Sequence, residues 1–232
     1  MITIIGVAHV FDISRNLENA IIERNPSVVC VELDSARFQA LYSSGGERDL
    51  PFIYMMLANF QKKIAKKYGT EVGREMITAV ETAKMLNAKL ACIDMEASKI
   101  VSEFWRSMTR VERIKLLFAL FTSIFIRKKR IEKELKRFEE NDEYYLESFG
   151  REFPTAKSVL IDERNVHMAE SIKKLSVEHE NIVAVVGDGH VEGIRKLLGL
   201  SNVETIRLSQ LRQKESIKMD EVTISYEIPY EN

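Results

Sequence analysis

Four short runs of apolar and β-branched residues, Ile2 to Ala8, Val28 to Leu33, Leu90 to Asp94 and Ile182 to Val186, constrain this chain most, and each is bounded by polar residues. Runs of four to eight residues without polar alternation fit strands covered on both faces, the situation in a parallel sheet. Helical stretches separate them. Ser14 can cap a helix that Asn25-Pro26 stops, and Asp34 or Ser35 can cap a second one carrying Ala36, Phe38, Ala40 and Leu41. Val72 to Asn87 and Thr155 to Ser176 read as helices that lead into the third and fourth strands. The pattern predicts an α/β fold with a mostly parallel central sheet, helices on both faces, and the early elements side by side under the right-handed crossover rule. A weaker strand at Val203 to Leu208 and a tail, Val222 to Pro229, are read as extensions of the sheet edge.

One segment breaks the rhythm. Residues 98–149 hold no strand signal and read as a helical insertion, an arm or lid, between the parts of an α/β core formed by residues 1–97 and 150–232. Its first half, Ile114 to Ile126, is apolar for most of four turns, and its second half places Ile131, Leu135, Phe138, Tyr145 and Phe149 on one stripe that needs a partner. The apolar run is shorter than the roughly 20 residues that a bilayer span needs. An arm folded back on itself, or packed on a second subunit in a homo-oligomer such as a homodimer, is therefore expected. A membrane-surface contact, with Arg127 to Arg130 near anionic lipid, is the alternative.

Charge says little about partners. The 34 basic and 35 acidic residues nearly cancel, without the basic surplus of a general nucleic-acid binder, so no nucleic-acid partner is expected. The clusters Lys62-Lys63, Lys66-Lys67 and Arg127 to Arg130 read as solvated helix faces. Cys30 and Cys92 each sit in an apolar run and read as reduced core thiols, bridged only if their strands are neighbours with suitable geometry. The amino terminus opens directly on a strand without a signal-type pattern, as expected for a cytoplasmic protein.

The chemistry concentrates at two distant places. ITIIGVAHV ends at Val10 and VAVVGDGHV ends at Val191, and both read apolar strand, Gly, two residues, His, Val. With 10 Gly in the chain, a given His has a Gly three places earlier by chance about 4% of the time, so the repeat among only four His is informative. A Gly ending a strand would turn the backbone sharply and let His9 and His190 project from the carboxyl edge of the sheet, where open α/β folds bind ligands. Glu32 and Asp94 end the second and third strands by the same logic, and a carboxylate there must be paired or bound to a cation. Two imidazoles and a carboxylate make a metal site with positions left for water and substrate. The plainer alternative is a pair of hydrogen-bonded core histidines. His167 and His179 lack comparable context. Arg164 could steady an oxyanion or clamp a substrate carboxylate, or could form an ion pair with Glu32 or Asp34 that only holds the fold. Glu163, Arg37, Asp34 and Glu75 are further candidates for substrate contact or for orienting the ligands.

In order and separation, GVAHV, VELDSAR, ERN and GDGHV resemble the TraB/PrgY/GumN family, which is related to the Tiki metalloproteases and more distantly to the erythromycin-esterase and ChaN-like folds. The resemblance runs from Ile2 to about Leu208. It implies a hydrolase dependent on a divalent metal (Zn, Mn or Co) that acts on a peptide or small acyl substrate, with His9, Glu32 and His190 at the family's motif positions. Members of the PrgY type are linked to pheromone shutdown, by cleavage or by sequestering the peptide. The sequence departs from the pattern at Asn165, where an acid is expected, and after Asp94, where DMEASK lacks the usual Arg. Longer relatives carry a carboxyl-terminal membrane region that this sequence does not show. The resulting expectation is a metal-activated water attacking an acyl carbon, with Arg164 at the oxyanion and Asp94 or Glu163 orienting groups around the metal. An esterase-like hydrolase using a His general base and a non-catalytic peptide-sequestering module are the alternatives.

Overall fold

The structure is a computed structural model that describes residues 1–8, 13–42, 73–123 and 142–212. Five strands, β1 (Ile2–Val7), β2 (Val28–Val31), β3 (Lys89–Cys92), β4 (Ile182–Gly187) and β5 (Val203–Ile206), form one sheet in the order β3-β2-β4-β1-β5 with every pair parallel. The expected strands are therefore present, but β1 and β2 are not neighbours. The last long strand, β4, lies between them, pairing Val7 with Gly187 on one side and Val31 with Val185 on the other. Burial explains the order. β1 is buried throughout, as is β4 up to Val186, whereas β3 and β5 are only partly covered and take the edges.

Each strand presents alternate residues to two helical layers. Ile5, Val7, Val29, Val31, Val183 and Val185 face α1 (Ser14–Arg24) and α3 (Arg74–Met85), which contribute Leu17, Ile21, Met76, Ala79, Val80 and Ala83. Ile4, Cys30, Ala184 and Val186 face α8 (Glu163–Ser176) and α9 (Asp188–Leu198) through Met168, Ile172, Val191 and Ile194. Full burial of each of the Val, Leu, Ile and Met side chains among them contributes about 1.5–3 kcal/mol. A one-residue slip of any strand would exchange its two faces, so these layers also fix the register. Cys30 and Cys92 lie on neighbouring strands, but Cys30 pairs with Ala91 and Cys92 with Val31, so the thiols point to opposite faces and both are free.

Local signals account for most boundaries. Asn25 ends α1 in the left-handed conformation at φ 40°, directly before Pro26. Ser14 starts α1 as its first helical residue, with Ile13 in the capping position and no side-chain capping bond, so the cap assigned to Ser14 is not made. Asp34 caps α2 (Ser35–Tyr42): its Oδ1 accepts the backbone N–H groups of Ala36 at 2.8 Å and Arg37 at 2.9 Å.

Within the segment read as an insertion, the described residues form α4 (Ala97–Ser107), α5 (Arg110–Ser123) and α6 (Asp142–Glu152). The short α7 (Pro154–Lys157) and a π-helical turn, Ser158–Asp162, then lead into α8. A small core of Ile100, Phe104, Met108, Ala156 and Val159 joins α4 to this stretch. Glu112 ties α5 to α7, accepting the N–H and hydroxyl of Thr109, both at 2.9 Å, and the N–H and hydroxyl of Thr155 at 3.1 and 3.0 Å. No helix among the described residues is long and apolar enough to cross a membrane. The basic clusters at Lys62 to Lys67 and Arg127 to Arg130, the stripe positions Ile131, Leu135 and Phe138, and the tail Val222 to Pro229 lie outside the described residues.

Candidate functional site

In a parallel sheet all carboxyl ends lie on one rim, and here the first residues beyond β2, β3 and β4 meet there. Glu32 follows β2 directly, Asp94 lies two residues past β3, and His190 lies three residues past β4. His190 does not project from a strand end as its spacing from Gly187 suggested; it sits in the first turn of α9. Nor do the two glycines act as turns, since neither Gly6 nor Gly187 has a positive φ. Gly6 lies inside β1 because α9 crosses it closely: a Cβ there would collide with Asp188 Oδ1 and come within 2.9 Å of Val191. A Cβ on Gly187 would sit 3.2 Å from Glu32 Oε2 and 3.5 Å from the His190 ring. At both glycines the missing side chain thus allows close approach, of α9 at Gly6 and of Glu32 and His190 at Gly187, rather than a left-handed turn. His9 lies outside the described residues; the chain leaves β1 at Val7, opposite Gly187.

Arg164, in the first turn of α8, binds the acids together. Its Nε donates to Asp94 Oδ1 at 3.0 Å and its Nη2 to Asp94 Oδ2 at 2.7 Å and to Glu32 Oε1, while Nη1 donates to the carbonyl of Leu160 at 3.2 Å. Four of the five guanidinium N–H groups are thereby committed. The ion-pair alternative for Arg164 is the arrangement present, with Asp94 rather than Asp34 as the second acid. The oxyanion role expected of it has only one N–H left to serve it. Arg37 extends the chain of charges, donating from Nη2 to Asp94 Oδ2 at 2.5 Å and from Nε to Asp34 Oδ2 at 2.7 Å. Asp34 also accepts the N–H of Ala97 at 3.1 Å, so one carboxylate secures the starts of both α2 and α4.

On the other side of Glu32, the backbone N–H of Gly187 donates to Oε2 at 2.5 Å, and His190 Nε2 faces Oε1 at 3.6 Å, beyond hydrogen-bond range. The far ring nitrogen, Nδ1, lies 2.7 Å from Asn165 Oδ1. Asn165 fits there because Gly193 has no side chain, since a Cβ at Gly193 would collide with the amide. Asp188 holds α9 from behind, its carboxylate accepting Arg207 Nε at 2.9 Å, Nη2 at 2.7 Å and the N–H of Leu208 at 2.9 Å.

The electrostatics follow from this packing. Burial alone would raise the Glu32 carboxyl, but the His190 ring when it is protonated, the Arg164 guanidinium and the Gly187 N–H outweigh it and hold Glu32 below the ordinary glutamate value. Asp94, whose side chain has no exposed surface, is likewise pushed up by burial and brought lower overall by Arg164 and Arg37. Burial lowers His190 and the charge on Arg164 adds to this, while Glu32 opposes it; the net shift is downward, favouring the neutral imidazole. An ionised carboxylate therefore faces a neutral ring across a gap that neither closes. Beside this group a cleft of about 440 Å³ opens, lined by Asp34, Ser35, Cys92, Asp94, Lys99 and His167.

The remaining candidates lie elsewhere. Glu163 is exposed and accepts the Ser158 hydroxyl at 3.0 Å, so it does not orient the cluster. Glu75 is buried in the first turn of α3, on the sheet face opposite α8 and α9. His179 lies 3.4 Å from Lys89 Nζ, away from the site. Sequence reasoning missed the pairing of Asn165 with His190, the space left by Gly193, and the anchor from Asp188 to Arg207. Only the acid in the first turn after Gly187 offered a local signal for any of them.

Residues 1–210 match the family model described as TraB/PrgY/gumN family. The chain belongs to the TraB/PrgY/gumN family. The chain is 34% identical over 235 residues to the uncharacterized protein MJ1365 of Methanocaldococcus jannaschii, a match that covers 94% of this chain and spans 59% of that relative's length. A solved structure titled for cofacial heme binding to ChaN of Campylobacter jejuni overlaps 93% of this chain and 76% of its own, at a TM-score of 0.35 and 14% identity. That likeness is too loose to bear on ligand or chemistry. The second Gly-x-x-His repeat and the glutamate that lies between the two repeats in the sequence meet at the sheet rim described above.

Proposed function

We propose that this TraB-family chain is a hydrolase of peptides or similar acyl compounds, with a divalent metal (Zn, Mn or Co) held by His9, Glu32 and His190. The observation that carries the reading is the gap between Glu32 Oε1 and His190 Nε2, 3.6 Å across. Two electron-rich atoms facing each other in a buried site need a cation or the hydrogens of a water between them. The donor set fits a metal: each Glu32 oxygen accepts one hydrogen bond and retains a further lone pair, and the imidazole presents the nitrogen that is not tied to Asn165. A metal there would activate water and polarise the substrate carbonyl.

The chain's own groups do the rest by positioning. Arg164 and the Gly187 N–H hold Glu32 ionised and fix both of its oxygens. Asn165 fixes the ring plane of His190, and Asp94 and Arg37 hold Arg164 in place. The cleft beside Asp94 has the volume of a small-molecule site and would receive the substrate's side chain or backbone. Arg164 serves in this scheme as a brace for the carboxylates.

One observation favours a second reading. Arg164 already balances the charge of Glu32, so His190 could act as a general base for water without a metal. Cleavage of a peptide library by the purified chain, assayed with and without chelator and with Zn, Mn or Co restored, separates the two. Cleavage abolished by chelator and restored by metal supports the proposal; undiminished cleavage assigns the reaction to the base, and no cleavage under any condition removes the hydrolase reading.

A further inference from the structure

Helix α5 carries an apolar ridge on its outer side. Val111, Ile114 and Phe118 are exposed to 62%, 68% and 68%, values that belong to a polar surface rather than to side chains of this kind. At about 100° per residue, the three fall within about 60° of one another, and Arg110 and Lys115 flank them at about 40° on either side. The acid of this helix, Glu112, points the opposite way and is buried against Thr109 and Thr155. Arg113 is also turned aside, stacked on the Trp105 ring at 5.0 Å and donating to the Trp105 carbonyl at 2.8 Å. The described charges beside the ridge are therefore cations. The sequence continues through Ile124, Phe125 and Ile126 to Arg127, Lys128, Lys129 and Arg130.

We infer that α5 docks on the surface of an anionic phospholipid bilayer, its apolar ridge entering the headgroup boundary and its flanking cations meeting lipid phosphates and carboxylates. An apolar face edged by cations, on a helix whose described residues are too few and too polar to span a bilayer, is the pattern of an interfacial helix. The charges argue against a second copy of this chain as the occupant, because two ridges face to face would bring Arg110 and Lys115 against their own kind, and α5 has, among its described residues, no acid on that side to meet them. The shape argues against a folded partner. A convex ridge needs a matching groove in a protein, whereas a bilayer interface yields to it. This inference stands apart from the chemistry at the sheet rim.

The test is flotation of the full chain with vesicles of phosphatidylcholine alone or mixed with phosphatidylserine. The chain should partition at least about tenfold more strongly into the mixed vesicles, and Lys115→Glu and Arg110→Glu should each weaken that partition by roughly fivefold or more. Ile114→Ser with Phe118→Ser should remove it, with an unchanged circular dichroism spectrum showing that the surface changes leave the fold intact. Equal partition into both vesicle types, no partition, or variants that bind as wild type would overturn the inference. So would a lipid-free dimer dissolved by Ile114→Ser, or retention on polyglutamate without vesicle binding.

Discussion

Asn165 Oδ1 lies 2.7 Å from His190 Nδ1, and this contact sets what the imidazole can do. An amide oxygen accepts, so Nδ1 carries the proton and Nε2 turns its lone pair towards Glu32. In metal-free protein at neutral pH, ring 15N shifts should report the Nδ1–H form of His190. Asn165→Ala should mix the tautomers and weaken Zn binding by about 10–100-fold, as loss of a partner behind a ligand does. An Nε2–H ring in the wild type would contradict this.

Removing the brace should cost far more than removing an exposed ion pair. Arg164→Met leaves the Glu32 carboxylate buried without its cation and Asp94 with Arg37 alone, and a loss of about 3–5 kcal/mol is expected in urea unfolding. Arg164→Lys should recover only part of it, because an ammonium cannot make the two-pronged contact with Asp94. Full rescue by Lys would mean that charge alone matters there.

Acid should loosen the fold through Asp94. Its folded value is depressed, so its contribution is fully present above the unfolded value of about 4 and is lost as the pH falls through the lower, folded value. Stability measured by urea unfolding should fall as the pH drops below about 4, and Asp94→Asn should flatten that slope while lowering stability at neutral pH. An unchanged slope in the variant would place the acid sensitivity elsewhere.

Close approach at Gly6 should be visible as overpacking. Gly6→Ala drives a methyl into Asp188 and Val191, and about 1–3 kcal/mol of stability should be lost, read as a lower urea midpoint at constant slope. A neutral effect would show that α9 can shift away from the sheet without cost.

The strands were legible because uninterrupted apolar runs such as VAVV admit little else, and Glu32 and Asp94 could be placed because a strand end has a known edge. The order of the strands was not, since nothing local in β1 or β2 says that β4 will enter between them; that depends on which strands can be buried on both faces. The Gly-x-x-His repeat located His190 but misled about cause. A glycine needed for close approach and one needed for turning leave the same letter in the sequence, and only the approach of Asp188 to Gly6 tells them apart. For Arg164 the sequence leaves open both an oxyanion contact and an ion pair. Choosing required knowing that Asp94 and Glu32 both come within its reach.

Glu32 and His190 are proposed to form a cation-binding site together. Calorimetric titration of metal-stripped protein with Zn is the test of that pairing. About one Zn per chain is expected for the wild type, lost in His190→Ala and in Glu32→Gln under conditions where both variants remain folded. Equal Zn binding by the wild type and both variants, or none by the wild type, would contradict it.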